Sequence, residues 1–129
     1  MRHLDTDFLI RALVAGTPED RQLRQWLRER ASVRISAVAW AELLCGPIGE
    51  PERQLVRDIV GTPIALTDRD AETAAALFNV GGRRRGSLSD CLIAATALRA
   101  NATLVTGNAA DYRRFEAAGL RLEPLPQRR

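Results

Sequence analysis

Four acidic side chains, far apart in the chain, stand where a β-like run gives way to a helical pattern. They are Asp5 in Leu4-Asp5-Thr6-Asp7, Glu42 in Ala39-Trp40-Ala41-Glu42-Leu43, Asp90 in Ser89-Asp90-Cys91-Leu92-Ile93 and Asp111 in Asn108-Ala109-Ala110-Asp111-Tyr112. In an α/β sheet the carboxyl ends of the strands share one crevice, and ligands bind there. Four carboxylates gathered in that crevice repel one another unless a cation holds them. Oxygen donors without a supporting His or Cys suit Mg2+ or Mn2+. The chemistry this predicts is metal-dependent phosphoryl transfer.

Each acid also has a plainer role open to it. Asp5 or Asp7 could cap the helix that starts at Phe8-Leu9-Ile10. Asp7 is the better cap or supporting partner, and Asp5, one step nearer the strand end, the better ligand. Glu42 lies among Val38, Ala39, Trp40, Ala41, Leu43 and Leu44. It either turns outward to solvent or is paired, because a lone carboxylate in an apolar setting is costly. Asp90 leads an apolar segment, Cys91 to Leu98, and Ser87-Leu88-Ser89-Asp90 also fits a capping box. Asn108 with Asp111 could be a cap and a first-turn acid after the strand Leu104-Val105-Thr106, whose Thr106 hydroxyl can orient a carboxylate or a water.

The elements that must position these groups alternate along the chain. Short β-like runs recur at His3-Leu4, Val33 to Ser36, Ile64 to Leu66 and Thr103 to Thr106, with a last one at Leu120 to Leu122. Thr17-Pro18-Glu19-Asp20 opens a helix, and Leu23, Trp26 and Leu27 recur at helical spacing. Thr67-Asp68-Arg69-Asp70 opens another that ends at Gly81-Gly82. This alternation predicts one α/β domain over 1–129, a three-layer α/β/α sandwich with a mostly parallel central sheet.

Composition sets the exclusions. All 19 basic residues are arginine, and the formal net charge is +3. Without lysine, neither a P-loop nucleotide site nor a receiver-type phosphoacceptor domain can be built in its usual form. The arginine bias also fits a GC-rich coding sequence. With four of the 16 acids committed to cations, 19 arginines face 12 acids, and a basic exterior suits a polyanionic substrate. Two cysteines and one histidine argue against a zinc site. Cys45 and Cys91 read as two buried thiols in a reducing compartment. No apolar run approaches the ~20 residues that span a bilayer. No secretory signal precedes Leu4, so a cytoplasmic location is expected.

These motifs resemble a known family. Leu4-Asp5-Thr6-Asp7-Phe8-Leu9-Ile10 is similar to the opening strand motif of PIN-domain nucleases, and Ala41-Glu42-Leu43-Leu44-Cys45-Gly46 to their Glu-bearing helix. Ser89 to Ala97, then Ala102 to Asn108 with Asp111-Tyr112, resembles their most recognisable segment. The similarity spans essentially the whole chain, whose length suits the VapC toxins of bacterial toxin–antitoxin modules. It implies Asp5, Glu42 and Asp90 as core metal ligands, Asp111 as the fourth acid, and Thr106 and Asn108 in support. Asp7 replaces a common asparagine. Gly107-Asn108 stands where many relatives have Arg-Asp, leaving the fourth ligand open between Asn108 and Asp111.

The function so implied is an endoribonuclease using Mg2+ or Mn2+ on single-stranded or looped RNA, with a cognate antitoxin and a homodimer as partners. Arg83-Arg84-Arg85, between Gly82 and Gly86 and just before the Asp90 helix, would grip phosphates unless it is merely a solvated loop. Three rivals stand beside it. One is a non-catalytic RNA- or protein-binding module of the same fold. Another is a housekeeping RNA-processing nuclease. The third is an aspartyl-phosphate phosphatase, suggested by Asp5-Thr6-Asp7 and opposed by the missing lysine.

Overall fold

Parallel strands need helical crossovers, and the chain supplies them. The structure, a computed structural model, describes residues 1–84 and 86–125. Strands β1 (Arg2–Leu4), β2 (Val33–Arg34), β3 (Thr103–Val105) and β4 (Arg121–Leu122) form a parallel sheet in the order β2-β1-β3-β4. The helices are α1 (Thr6–Ala12), α2 (Pro18–Arg28), α3 (Ala37–Cys45), α4 (Glu50–Val60), α5 (Asp68–Val80), α6 (Leu88–Arg99) and α7 (Ala109–Tyr112), with a 3-10 segment over Arg113–Ala118. Among the described residues no helix is long and apolar enough to cross a membrane.

Both faces of the sheet are covered. Side chains alternate across a strand, yet the consecutive residues His3 and Leu4, and Leu104 and Val105, are all buried. On one face the Arg2 guanidinium lies 4.5 Å from the Trp26 ring of α2. On the other, His3 feels the charge of Arg99 from α6. The three-layer sandwich is therefore present.

Local signals account for most of the helix starts. The Thr17 hydroxyl accepts the Asp20 N–H at 3.0 Å, and the Ser36 hydroxyl accepts that of Ala39 at 3.1 Å. Thr67 and Asp70 close a reciprocal capping box at 3.1 and 3.0 Å. Two expected caps differ. Asp5, rather than Asp7, caps α1, taking the Thr6 N–H at 2.8 Å. The box at Ser87 does not form, because the Ser87 hydroxyl donates to the Arg84 carbonyl at 2.6 Å. Helix α4 carries the faintest signature: Gly49 offers no capping side chain, and its buried residues are Val56 and Val60.

The strand expected over Ile64 to Leu66 shrinks to one parallel bridge between Ser36 and Ile64. Pro63 has no N–H to donate, and the exposed Ala65 gives its carbonyl to the Arg99 guanidinium at 2.9 Å. The cysteine expectation also needs correction: both are free and Cys91 is buried, but Cys45 is exposed. Helix α3 buries Ala39 and Leu43, and Cys45 lies roughly 200° around the axis from Leu43.

His3 carries a testable consequence of this burial. Its two ring nitrogens have no hydrogen-bond partner among the described residues. Burial, aided by the charge of Arg34, lowers its pKa from 6.5 to about 4. Below pH 6.5 the unfolded chain takes up a proton that the folded chain refuses, so stability falls with pH until about pH 4. In urea titrations, His3→Leu should remove this slope, gaining about 2 kcal/mol on wild type between pH 7 and pH 5. Parallel pH profiles would contradict it.

Candidate metal centre

The chain from β1 returns through α1 and α2 to β2 on one side, while β3 continues to β4 on the other. The sheet order thus reverses between β1 and β3, and a crevice opens at their carboxyl ends. Pairing of Leu4 with Val105 sets the next residues, Asp5 and Thr106, side by side at that point. The Asp5 N–H continues the ladder to the Val105 carbonyl at 2.8 Å.

Asp5 is buried and held from two sides. One oxygen accepts the Thr6 N–H and the other the Thr106 hydroxyl, each at 2.8 Å. Burial pushes its pKa up to about 7; the Asp7 charge adds to this, the two hydrogen bonds oppose it, and Glu42 adds a little more. Asp7 leans on the same hydroxyl at 3.3 Å and takes the Gly107 N–H at 3.3 Å. Its second oxygen is buried without a hydrogen-bond partner among the described residues. The Asn108 backbone N–H donates to the Thr106 oxygen at 3.0 Å, so Asn108 supports this group through its main chain.

Glu42 is exposed, so of the two roles open to it the outward, solvated one holds for most of its side chain. Its carboxylate still faces the crevice, accepting the Thr6 hydroxyl at 3.2 Å, a hydroxyl shared with the Ala39 carbonyl at 3.1 Å.

Asp90 and Asp111 form the other half. With no capping box to serve, the Asp90 carboxylate accepts the Tyr112 hydroxyl at 3.1 Å. Burial raises the Asp90 pKa; the Tyr112 bond works against this, and the Asp111 charge adds to it. The Tyr112 phenol is pushed well above its usual range by burial and by the charges of Asp5 and Asp90, with a lesser contribution from Glu42. Its hydroxyl therefore sits where the two halves meet. Asp111, with a side chain 41% exposed, lies 3.7 Å from Arg84.

Of the three loop arginines, Arg84 faces the acids, whereas Arg83 turns toward the Phe78 ring at 6.0 Å. Arg85 lies outside the described residues. Arg114, from the 3-10 segment, also lowers the Asp90 pKa by its charge.

Among the described residues no three acids, histidines or cysteines lie close enough to hold one ion together. Asp5, Asp7 and Glu42 gather on one side and Asp90 with Asp111 on the other. The donors nevertheless fit a hard divalent cation. They are all oxygens, the charges of Asp7 and Glu42 add to the burial that lifts Asp5 to about 7, and Asp7 keeps a buried oxygen without a hydrogen-bond partner among the described residues. Tyr112 and Thr6 are the site members that motif reading passed over. The signal available for Tyr112 was a lone tyrosine directly after an acid, since a buried phenol needs a polar partner.

Thr106 bonds the carboxylates of Asp5 and Asp7, and were these to hold a metal, such an outer partner would be worth ~10–100-fold in metal affinity. Thr106→Val keeps the shape and removes the hydroxyl. It should weaken Mn2+ binding by about that factor in calorimetric titration, with little loss of fold. Unchanged affinity would show that the Asp5 carboxylate is oriented without it.

A family profile described as PIN domain matches residues 3–117. The structure is similar to that of FitAcB from Neisseria gonorrhoeae, with a TM-score of 0.70 at 19% identity, covering 96% of this chain and 97% of that one. It is similar to VapBC2 from Rickettsia felis bound to a DNA fragment from their promoter, with a TM-score of 0.71 at 22% identity over 95% and 96% of the two chains. A toxin-antitoxin complex from Klebsiella pneumoniae matches with a TM-score of 0.69 at 24% identity over 88% and 91%. At such identities the likeness establishes the fold, and the profile establishes the family. The chain belongs to the PIN domain family.

Proposed function

We propose that this chain is a divalent-metal-dependent endoribonuclease that cuts single-stranded or looped RNA in the cytoplasm as the toxin of a toxin–antitoxin pair. The observation that carries the reading is the oxygen-only cluster around buried Asp5 at the sheet's switch point, where the Thr106 hydroxyl bonds both Asp5 and Asp7 and Asp7 keeps a buried oxygen without a hydrogen-bond partner among the described residues. Mg2+ or Mn2+, when bound there, would supply an activated water and offset charge on the leaving oxygen. Asp5, Glu42, Asp90 and Asp111 would hold the ion or ions. The Thr6 amide and Thr106 hydroxyl fix the Asp5 carboxylate, and Tyr112 fixes that of Asp90. Arg84, 3.7 Å from Asp111, would meet a substrate phosphate, with Arg83 and Arg85 as its neighbours in the chain. The solved toxin–antitoxin neighbours support a cognate antitoxin as partner. A homodimer is part of the same expectation.

The division of the acids into two groups favours one second reading, a binding module that holds RNA or protein without cutting. Purified, antitoxin-free protein incubated with single-stranded RNA in Mn2+, Mg2+ or EDTA separates the two. The nuclease cuts only with metal, and Asp90→Asn abolishes the cutting. RNA left intact by wild type under every metal would assign the binding module.

A further inference from the structure

We propose that a groove running from the acidic centre between α2 and the α7–3-10 segment carries a single RNA strand away from the site, with Arg11, Arg21 and Arg113 contacting its phosphates. This rests on the ribonuclease reading and names a path for its substrate. The groove encloses about 1000 Å³ and is lined by all three arginines. Its inner end is formed by Thr106 and Gly107, the residues that bond Asp5 and Asp7. It is therefore continuous with the centre rather than a separate hollow.

Gly107 makes the junction possible. A Cβ there would collide with Arg11 Nη1 and sit 2.8 Å from Asp7 Oδ2. A glycine lets a guanidinium and a carboxylate close over the same stretch of backbone. A phosphate leaving the acids would meet Arg11 first, at the point where the potential changes sign.

Further out the lining suits a polyanion with bases attached. Of the glutamates among the described lining residues, Glu19 is buried and Glu123 is paired with Arg2 at 2.7 Å, which leaves Glu116 as the exposed acid against three arginines there. Gln22 and Gln25 present amides that can donate and accept, and Leu122 and Leu125 give an apolar floor for base faces. A cavity of this volume holds a single strand, whereas a duplex is far wider.

The test uses full-length protein and a fluorescein-labelled single-stranded RNA. Arg21→Ala/Arg113→Ala, placed on the Asp90→Asn background so that the RNA stays whole, should bind about tenfold more weakly. The slope of log affinity against log salt should flatten by about 1.4, since two phosphate contacts are lost. On the active background the pair should raise KM by a similar factor and leave kcat near wild type. Arg21 also donates to the Gly16 carbonyl at 2.6 Å, so Arg113→Glu alone serves as the second variant, with the same direction expected. Unchanged affinity and slope in both variants overturn the path while leaving the nuclease intact. Unchanged RNA binding with loss of a co-purified polypeptide overturns it too, assigning the groove to a protein. Wild type that neither binds nor cuts RNA defeats the underlying reading instead.

Discussion

Asp5→Asn is expected to abolish cleavage and, in the same molecule, to strengthen the metal-free fold. Losing an outer partner of a metal ligand costs ~10–100-fold, so losing the most buried of the proposed ligands should lower the rate by about a thousandfold or more. Stability moves the other way. In the wild type the Asp5 pKa is raised from 3.8 to about 7, because burial and the charges of Asp7 and Glu42 disfavour its ionised form. Between those values the folded chain holds a proton that the unfolded chain has released, so wild-type stability drops as pH rises from about 4 to 7. Asparagine cannot ionise. It keeps a carbonyl for the Thr6 N–H and can offer its amide to the Thr106 oxygen. Urea unfolding in EDTA at pH 8 should show the variant more stable by about 2–4 kcal/mol. The gain should vanish near pH 3.5, where both proteins are uncharged at this position. Saturating Mn2+ should narrow the pH 8 gap by stabilising the wild type alone. A variant less stable than wild type at pH 8 would mean that the Asp5 hydrogen bonds outweigh burial and repulsion together.

The order of elements could be read from the chain because its signals are local. Threonine and serine caps stand at Thr17, Ser36 and Thr67, and short apolar runs mark strands buried on both faces. The grouping of Asp5 with Thr106 was also within reach, since both follow strands that end at the same sheet edge. What local pattern does not encode is distance across the crevice. Nothing in Ser89-Asp90 reveals that its carboxylate goes to a phenol, or that Asp5 and Asp90 face each other across Tyr112. Glu42 stayed open between solvent and a partner for a related reason: an apolar helix need not bury every side of itself, and α3 leaves this turn in water. Ile64 to Leu66 has the composition of a strand, but a preceding proline and an arginine that claims the Ala65 carbonyl leave it a single bridge.

That same arginine gives the largest expected loss of stability away from the acids. Arg99, at the end of α6, donates from Nε to Asp70 at 2.8 Å and from Nη2 to the Ala65 carbonyl at 2.9 Å. The Asp70 side chain is only 1% exposed, and its other oxygen caps α5 through the Thr67 N–H at 3.0 Å. Arg99→Met preserves the apolar stem but leaves a buried carboxylate without its cation, which should cost about 3 kcal/mol. Asp70→Asn added to this variant removes the stranded charge while keeping a carbonyl for the Thr67 amide. The double variant should therefore recover part of the loss, a coupling that a mutant cycle measures directly. The pH dependence supplies a second check. Burial pushes the Asp70 pKa up, but the Arg99 and Thr67 bonds outweigh it and hold the group below 3.8. A lowered carboxylate stabilises the fold above its unfolded pKa and loses that contribution in acid. The deficit of Arg99→Met should accordingly be full at neutral pH and shrink as pH falls toward and below 3.8, because Asp70 without Arg99 protonates at a higher pH than in the wild type. A deficit that persists undiminished in acid would assign the loss to packing of the arginine stem, since only the charge pairing titrates away.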